Sequence, residues 1–332
     1  MTIRLPSGID IDHFAALGAG FMSAKMLCVA SELGLFQKLA AGPLTLDELE
    51  AATKLPRRGL RVLVNGMVAL DALTLDGGKY GNSEAAQAWL SGTGENDMRA
   101  GLKLYDKIVY PMWMQLESVV RSGQPAKHPQ PSEEFAKIFS EGVEAWTRGG
   151  AIALSERYDF SRHQKILDIA GGTGSYLVPM LTKYEGLRAT LFDLPPSIAV
   201  AKRRLAGEKV QGRIELVEGD AFFDPLPAGH DAALIAGFVH LFDPDKILVV
   251  LGRARQAMQP GARLYVVDQW MDPTHSKPTF AAMLAGTYLM LSGSGGTYSV
   301  AEARGWLDET GWRFVEHQPL AGVTSVVVAE AV

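Results

Sequence analysis

The chain has 332 residues, 47% of them hydrophobic and 21% charged, with a formal net charge of −5. Such a length suits two domains and such a composition a soluble globular fold, and the acidic balance gives no general attraction to nucleic acid or anionic membrane. A single cysteine, Cys28, excludes an intramolecular disulfide and fits a reducing compartment.

The N-terminal stretch Met1–Gly8 lacks the apolar centre of a signal peptide. No run approaches the roughly 18 apolar residues of a membrane-spanning helix. The expectation is a cytoplasmic protein without membrane contact. Residues 10–40 read as helices with Phe21, Met26, Val29, Leu33, Leu35, Phe36 and Leu39 on an apolar face, and Cys28 there as core. Thr45-Leu-Asp-Glu48 is a capping box opening a helix through Ala52. Pro56 starts another over about 57–71, with Leu60, Leu63, Val64, Met67 and Leu70 on one side. Leu73–Leu75, Asp76-Gly-Gly78 and Lys79-Tyr80 make a hairpin. Helix, turn, helix and hairpin form a winged helix. A DNA-reading helix needs a polar face. Here Arg57, Arg58 and Arg61 cluster at the start and the remainder is apolar, so nucleic acid is not the expected partner.

Residues 98–121 and 131–157 read as long helices. Tyr105, Tyr110, Met112, Trp113 and Met114 crowd the first. Such a stripe serves either as core or as the apolar wall for a flat ligand. After Ser161 strands alternate with helices: strands near 165–170, 189–193, 213–217, 231–236 and 262–268, a helix at 299–310, and final strands at 312–317 and 324–330. This alternation specifies an open, mainly parallel sheet with helices on both faces, binding its ligand at the carboxyl ends of the strands. Asp168, Asp193, Asp220, His240 and Asp268 all fall at those ends.

The first unit carries the chemistry. Lys165-Ile-Leu-Asp-Ile-Ala-Gly-Gly-Thr-Gly174 is a strand followed by a glycine turn. A dinucleotide fingerprint fails, because its third glycine position holds Leu177. A P-loop fails as well, since Gly174 is followed by Ser175 and Tyr176. No cation in the turn awaits a phosphate, whereas an acidic strand end suits a cationic ligand such as S-adenosylmethionine. Asp193 closes the second strand where a ribose-binding carboxylate belongs. After the third strand, Asp220 can accept from an adenine amino group, with Phe222 or Phe223 against the ring. Each aspartate alone can equally be a solvated strand end or a cap. Three in succession beside a glycine turn favour the donor site.

These motifs resemble the two-domain class I S-adenosylmethionine-dependent O-methyltransferases of the caffeic acid and acetylserotonin type, including their bacterial small-molecule relatives. Asp168–Gly174 stands at the family's Asp-Val-Gly-Gly-Gly-Thr-Gly, Phe192-Asp-Leu-Pro195 at its Phe-Asp-Leu-Pro, Gly219-Asp-Ala-Phe222 at its Gly-Asp-Met/Phe-Phe, and His240 at its His-Asp-Trp. Met258-Gln-Pro-Gly-Ala-Arg-Leu264 before the fifth strand is also typical. The resemblance covers nearly the whole chain. It implies a Rossmann-like α/β methyltransferase sheet over 98–332, including the helices 98–157, behind a winged-helix dimerisation domain over 1–97. It implies a homodimer in which the partner's N-terminal helices, with Met22 and Met26 as candidates, help wall the site. The donor would meet Asp168, Gly171, Gly172, Gly174, Asp193, Leu194, Gly219, Asp220, Ala221, Phe222 and Ala236. The acceptor would meet Met112, Trp113, Met283 and Tyr288. His240 would be the general base and Asp268 its carboxylate partner; a helix-start histidine, and a cofactor or capping contact for Asp268, are the alternatives. No histidine pair or cysteine cluster suggests a metal.

The chain departs from that pattern in places. Ala170 replaces the first glycine, a change a small side chain should tolerate. Leu241-Phe242 follow the histidine, and Ala236 stands where plant members carry a lysine. Asp268 replaces a frequent glutamate, and a second glutamate is replaced by Thr297 or Tyr298. The expected activity is O-methylation of a small, aromatic hydroxyl compound. C- or N-methylation, non-methylating chemistry on the same donor, and a winged-helix regulator are the rivals.

Overall fold

The computed structural model describes residues 11–94, 96–127 and 132–332. Met1–Gly8, residue 10 and residue 131, on which part of the reading above falls, lie outside the described residues. The chain divides into two compact units, Met1–Pro111 with Pro131–Trp146, and Met112–Gln130 with Thr147–Val332. A single cut at residue 97 does not describe this division. Leu102 joins the core of the first unit, and Tyr105 stacks on Trp146 at 4.9 Å between ring centroids.

In the first unit the helix Ile11–Glu32 is followed by Leu35–Lys38, Leu46–Thr53 and Arg57–Ala69. The capping box is present: Thr45 N–H donates to Glu48 Oε2 at 2.7 Å and Glu48 N–H to Thr45 Oγ1 at 3.3 Å. Gly77 and Gly78, both at positive φ, close the hairpin Leu73–Asp76 and Lys79–Asn82. Leu44–Thr45 pairs with the second hairpin strand, completing a three-stranded sheet. Leu35, Phe36, Leu49, Leu60, Val64 and Met67 form the core, and Cys28 is buried beside them. Arg57 pairs with Asp47 and, at 2.9 Å, with Glu50.

Three expectations are corrected along the chain up to residue 122. Phe21 and Leu33 are exposed rather than core, alongside Phe14, Leu17 and Met22. The segment His13–Glu32, with mean hydropathy 1.5, is long and apolar enough by length and composition to cross a membrane. Gly18, Gly20, Ser23 and Lys25 interrupt its apolar residues, so it does not stand out in the sequence as one apolar run. The helix expected over 98–121 is broken into Arg99–Leu104, a π-helical turn Tyr105–Val109, Tyr110–Trp113 and Leu116–Ser122. Pro111 explains the first break: it donates no hydrogen bond and its ring crowds the carbonyl four residues back. Asp106, buried in the π turn, pairs with Lys25 and, at 2.9 Å, with Lys107.

The second unit is built on a seven-stranded sheet. Its strands are β1 (Lys165–Ile169), β2 (Arg188–Asp193), β3 (Ile214–Glu218), β4 (His230–Ala236), β5 (Met258–Asp268), β6 (Trp312–Pro319) and β7 (Ser325–Ala331). The spatial order is β3-β2-β1-β4-β5-β7-β6. The first five are parallel, and β7 runs antiparallel between β5 and β6. Alternate residues feed two cores. Leu167, Ile169, Ala233, Ile235, Leu264 and Val266 pack into one, and Ile166, Leu191, Ala232, Leu234 and Val267 into the other. Burial on both faces is why these strands read as continuous apolar runs.

The order of strands positions the site. β1 lies centrally, flanked by β2 and β4, so the carboxyl ends of β3, β2, β1, β4 and β5 form one continuous rim. Asp168, Asp193, Ala236 and Asp268 are on that rim, with Gly219-Asp220 and His240 in the loops that leave it.

Candidate active site

The glycine turn is knitted to its neighbours by backbone. Ala170 N–H donates to Phe192 O at 2.8 Å, and Gly172 N–H donates to Asp193 Oδ2 at 2.8 Å. Asp193 Oδ1 accepts from Leu194 N–H at 2.7 Å. The β2 carboxylate therefore shapes the turn as well as facing the rim, and each oxygen retains a further acceptor site. Two glycines are steric requirements. A Cβ at Gly171 would lie 2.5 Å from Asp168 Oδ2, and one at Gly219 2.4 Å from the Phe192 ring. Gly172 and Gly174 have φ of +58° and +77°, where side chains are strained. Ala170 also sits at φ +56°, so the residue replacing the glycine of the family pattern is accommodated at a conformational cost.

Asp168 is fully buried, and among the described residues neither of its carboxylate oxygens has a hydrogen-bond partner. Desolvation, with a smaller contribution from the charge on Asp193, pushes it up to about 8. A buried acid in this state needs either a proton or a cation, and a ligand carrying a sulfonium and an ammonium offers cations. The donor set therefore fits S-adenosylmethionine. Asp220 Oδ1 accepts from Phe222 N–H at 2.8 Å, and Asp220 N–H donates to Asp224 Oδ2 at 2.8 Å, fixing the loop after β3. Ala221 is buried, Phe222 and Ala236 are half-buried, Leu194 is exposed, and Phe223 is 80% exposed, leaving Phe222 as the better-placed ring.

His240 lies in a short 3-10 turn, Val239–Leu241, after β4. Its Nδ1 is 2.8 Å from Asp268 Oδ1, and its backbone N–H donates to Asp268 Oδ2 at 3.2 Å. Both side chains are largely buried, 13% and 5% exposed. Gln269 N–H donates to Asp268 Oδ1 at 2.9 Å. Gly296 N–H donates to the His240 carbonyl at 3.0 Å, and a Cβ at Gly295 would sit 2.4 Å from that same oxygen. The glycine pair thus seats the backbone of the histidine. Thr297 and Tyr298 supply no carboxylate: the Thr297 carbonyl is 3.2 Å from His275 Nδ1, and Tyr298 Oη donates to Phe242 O at 2.5 Å.

The helix Thr279–Ser292 lines the same unit. Tyr288 stacks on His240, ring centroids 3.9 Å apart and planes at 22°. Trp113 Nε1–H donates to Thr287 Oγ1 at 3.0 Å, and its indole lies over Gly286, whose added Cβ would be 3.1 Å away. Met283, one turn earlier, is 51% exposed. Met112 is instead buried against Val119, Ala126 and Met290 and serves as core. The sequence reading missed Gln269, Thr287, Gly286 and Tyr176. Tyr176 is buried, and its hydroxyl is pushed upward by desolvation and then by the charges of Asp268 and Asp168. Among the described residues no group of three or more His, Cys, Asp or Glu side chains is placed to hold a metal.

The O-methyltransferase domain profile matches residues 122–313. The chain belongs to the O-methyltransferase family. The family's dimerisation domain matches residues 16–92. The chain is 30% identical over 304 residues to the 3-hydroxy-5-methyl-1-naphthoate 3-O-methyltransferase of Streptomyces sahachiroi, covering 89% of this chain and 87% of that one. It is 30% identical to the acetylserotonin O-methyltransferase of Bos taurus, covering 93% and 94%. The crystal structure of the S-adenosylmethionine-dependent methyltransferase SibL superposes with a TM-score of 0.83 at 26% identity, over 97% of this chain and 99% of that one. The chain is thus an O-methyltransferase whose methyl donor is S-adenosylmethionine.

Proposed function

We propose that this O-methyltransferase acts on a hydroxyl of a small aromatic metabolite, with His240 as general base and Asp268 as its orienting carboxylate. The observation that carries the reading is the His240–Asp268 pair, joined at 2.8 Å between the turn that follows β4 and the end of the adjacent strand β5. With Nδ1–H donated to Asp268, Nε2 is the acceptor nitrogen. A phenol with a pKa near 10 is mostly protonated at neutral pH and needs a base to become a competent nucleophile. His240 takes that proton at Nε2, and Asp268 stabilises the cationic ring that results. The acceptor oxygen forms its bond to the methyl carbon as the carbon–sulfur bond breaks. S-adenosylmethionine, when bound, supplies that methyl group on a sulfonium. Asp168 would face its cationic portion, Asp193 its ribose diol, and Asp220 with Phe222 its adenine. Gly171, Gly172, Gly174 and Gly219 would allow close backbone approach, with Leu194, Ala221 and Ala236 completing the lining.

An aromatic acceptor is supported by the half-buried Trp113, by the exposed Met283 on the helix Thr279–Ser292, and by the Streptomyces relative, whose name specifies a hydroxynaphthoate. Aromatic and methionine side chains suit a flat apolar ring. The matched dimerisation domain, and the exposed row Phe14, Leu17, Phe21 and Met22 on the helix Ile11–Glu32, support a homodimer formed through the N-terminal unit. The direct experiment incubates the enzyme with methyl-labelled S-adenosylmethionine and a panel of phenols, naphthols, anilines and enolisable ketones. Label on a ring hydroxyl is the expected outcome; label confined to nitrogen or carbon would contradict it.

A further inference from the structure

The hydrogen bond to Asp268 restrains the His240 imidazole at one point on its edge, and a ring held at a single atom can still swing about that contact. We propose that Tyr288 is a positioning residue for His240, its phenol ring locking the face of the imidazole so that Nε2 stays directed at the acceptor. The inference rests on the reading of His240 as the base.

Three observations carry it. First, the two rings are in parallel contact, with centroids 3.9 Å apart and 22° between planes, which leaves no room for the imidazole to rotate toward Tyr288. Second, Tyr288 is itself fixed. It is 8% exposed, and its hydroxyl donates to Gln269 Oε1 at 2.6 Å. Gln269 follows Asp268 directly and donates its backbone N–H to Asp268 Oδ1 at 2.9 Å. The edge restraint and the face restraint are therefore anchored at the same end of β5. Third, the stack is matched to the chemistry. An aromatic face attracts a cation, so it favours the imidazole more once that ring has taken the acceptor's proton than before. The family resemblance alone places Tyr288 in the acceptor wall. A wall residue binds the acceptor, whereas a positioning residue acts on the proton-transfer step, and the two roles separate in the kinetics.

The test compares Tyr288→Leu and Tyr288→Phe in the full-length enzyme, using an acceptor found in the phenol panel. Tyr288→Leu should lower kcat by about tenfold or more, since small misplacements of a reacting group are costly, and leave KM for both substrates within about twofold. Tyr288→Phe keeps the stacked face and should bring kcat back to within about threefold of wild type. The accompanying signature is spectroscopic: in the wild-type enzyme the carbon-bound ring protons of His240 should resonate upfield of those of exposed histidines, and Tyr288→Leu should abolish the displacement. A rise in KM with kcat preserved, or wild-type kinetics in Tyr288→Leu, overturns the proposal. Should Tyr288→Leu fail to fold, the wild-type resonances still decide, because unshifted His240 protons overturn it equally. His240→Ala separates the two layers. Full activity there removes the base itself, whereas an inactive His240→Ala beside an unimpaired Tyr288→Leu removes the positioning role alone.

Discussion

Asp268 holds His240 twice, accepting from the ring at 2.8 Å through Oδ1 and from the backbone N–H at 3.2 Å through Oδ2. One carboxylate thereby sets both where the turn lies and which imidazole nitrogen carries the proton. Asp268→Asn preserves the shape but removes the charge and disturbs the tautomer. We expect kcat to fall by roughly 10²-fold or more with donor affinity little changed. Steady-state kinetics alongside calorimetric titration of S-adenosylmethionine check this, and an unchanged kcat would contradict it.

On the proposed placement of the donor, Asp168 couples its binding to protons. Its carboxyl is pushed up to about 8 by burial first and by Asp193 second, so the unliganded enzyme carries it protonated at neutral pH. The cationic donor favours the ionised form and should expel that proton. Binding near pH 7 should release about one proton, and the release should vanish above pH 9. Titrations in buffers of different ionisation enthalpy measure it directly. The sign for stability follows from the raised value. The protonated acid is the form the fold favours, so this stability is fully present below the ordinary aspartate range and is lost as pH rises toward 8. Asp168→Asn should flatten that decline in the melting temperature of the unliganded enzyme.

Ala170, at φ +56°, offers a simple gain. Replacing it by glycine relieves a left-handed residue in the turn, partly offset by the added freedom of the unfolded chain. A stabilisation of roughly 0.5–1 kcal/mol is expected by denaturant titration. A loss of stability would show that the turn is not strained there.

Gly295 approaches the His240 carbonyl too closely for a side chain: its Cβ would lie 2.4 Å from the oxygen and 2.8 Å from Ser292 Oγ. Gly295→Ala must push the loop away and loosen the Gly296 hydrogen bond. Turnover should drop by about tenfold, with a stability cost of roughly 1–3 kcal/mol. Equal turnover in thermally matched assays would show that this seat is dispensable.

Much of this arrangement was legible in the residues. The inner strands β1, β2, β4 and β5 are apolar on both faces, so their carboxyl ends and the order of Asp168, Asp193, Asp220, His240 and Asp268 along the rim could be read, whereas β5 begins at Met258, four residues before the expected 262. The capping box at Thr45 and the hairpin at Gly77-Gly78 are local and equally readable. Contacts between distant segments were not. Nothing in a single sequence joins Tyr288 to His240, or Trp113 to Gly286 and Thr287, because their spacing is set by the fold. The aromatic stripe at 105–114 gave no warning of the π turn or of the different fates of Met112 and Trp113. Periodicity identifies an apolar face without saying what covers it. Hence Phe21 and Leu33, read as core, are exposed on the N-terminal unit.

The most direct test is the His240→Gln enzyme, assayed for S-adenosylmethionine binding and for single-turnover methyl transfer to a phenolic acceptor. Donor affinity close to wild type with transfer slowed by about 10²-fold or more is the expected result. Transfer at the wild-type rate would show that another group, or none, removes the acceptor's proton.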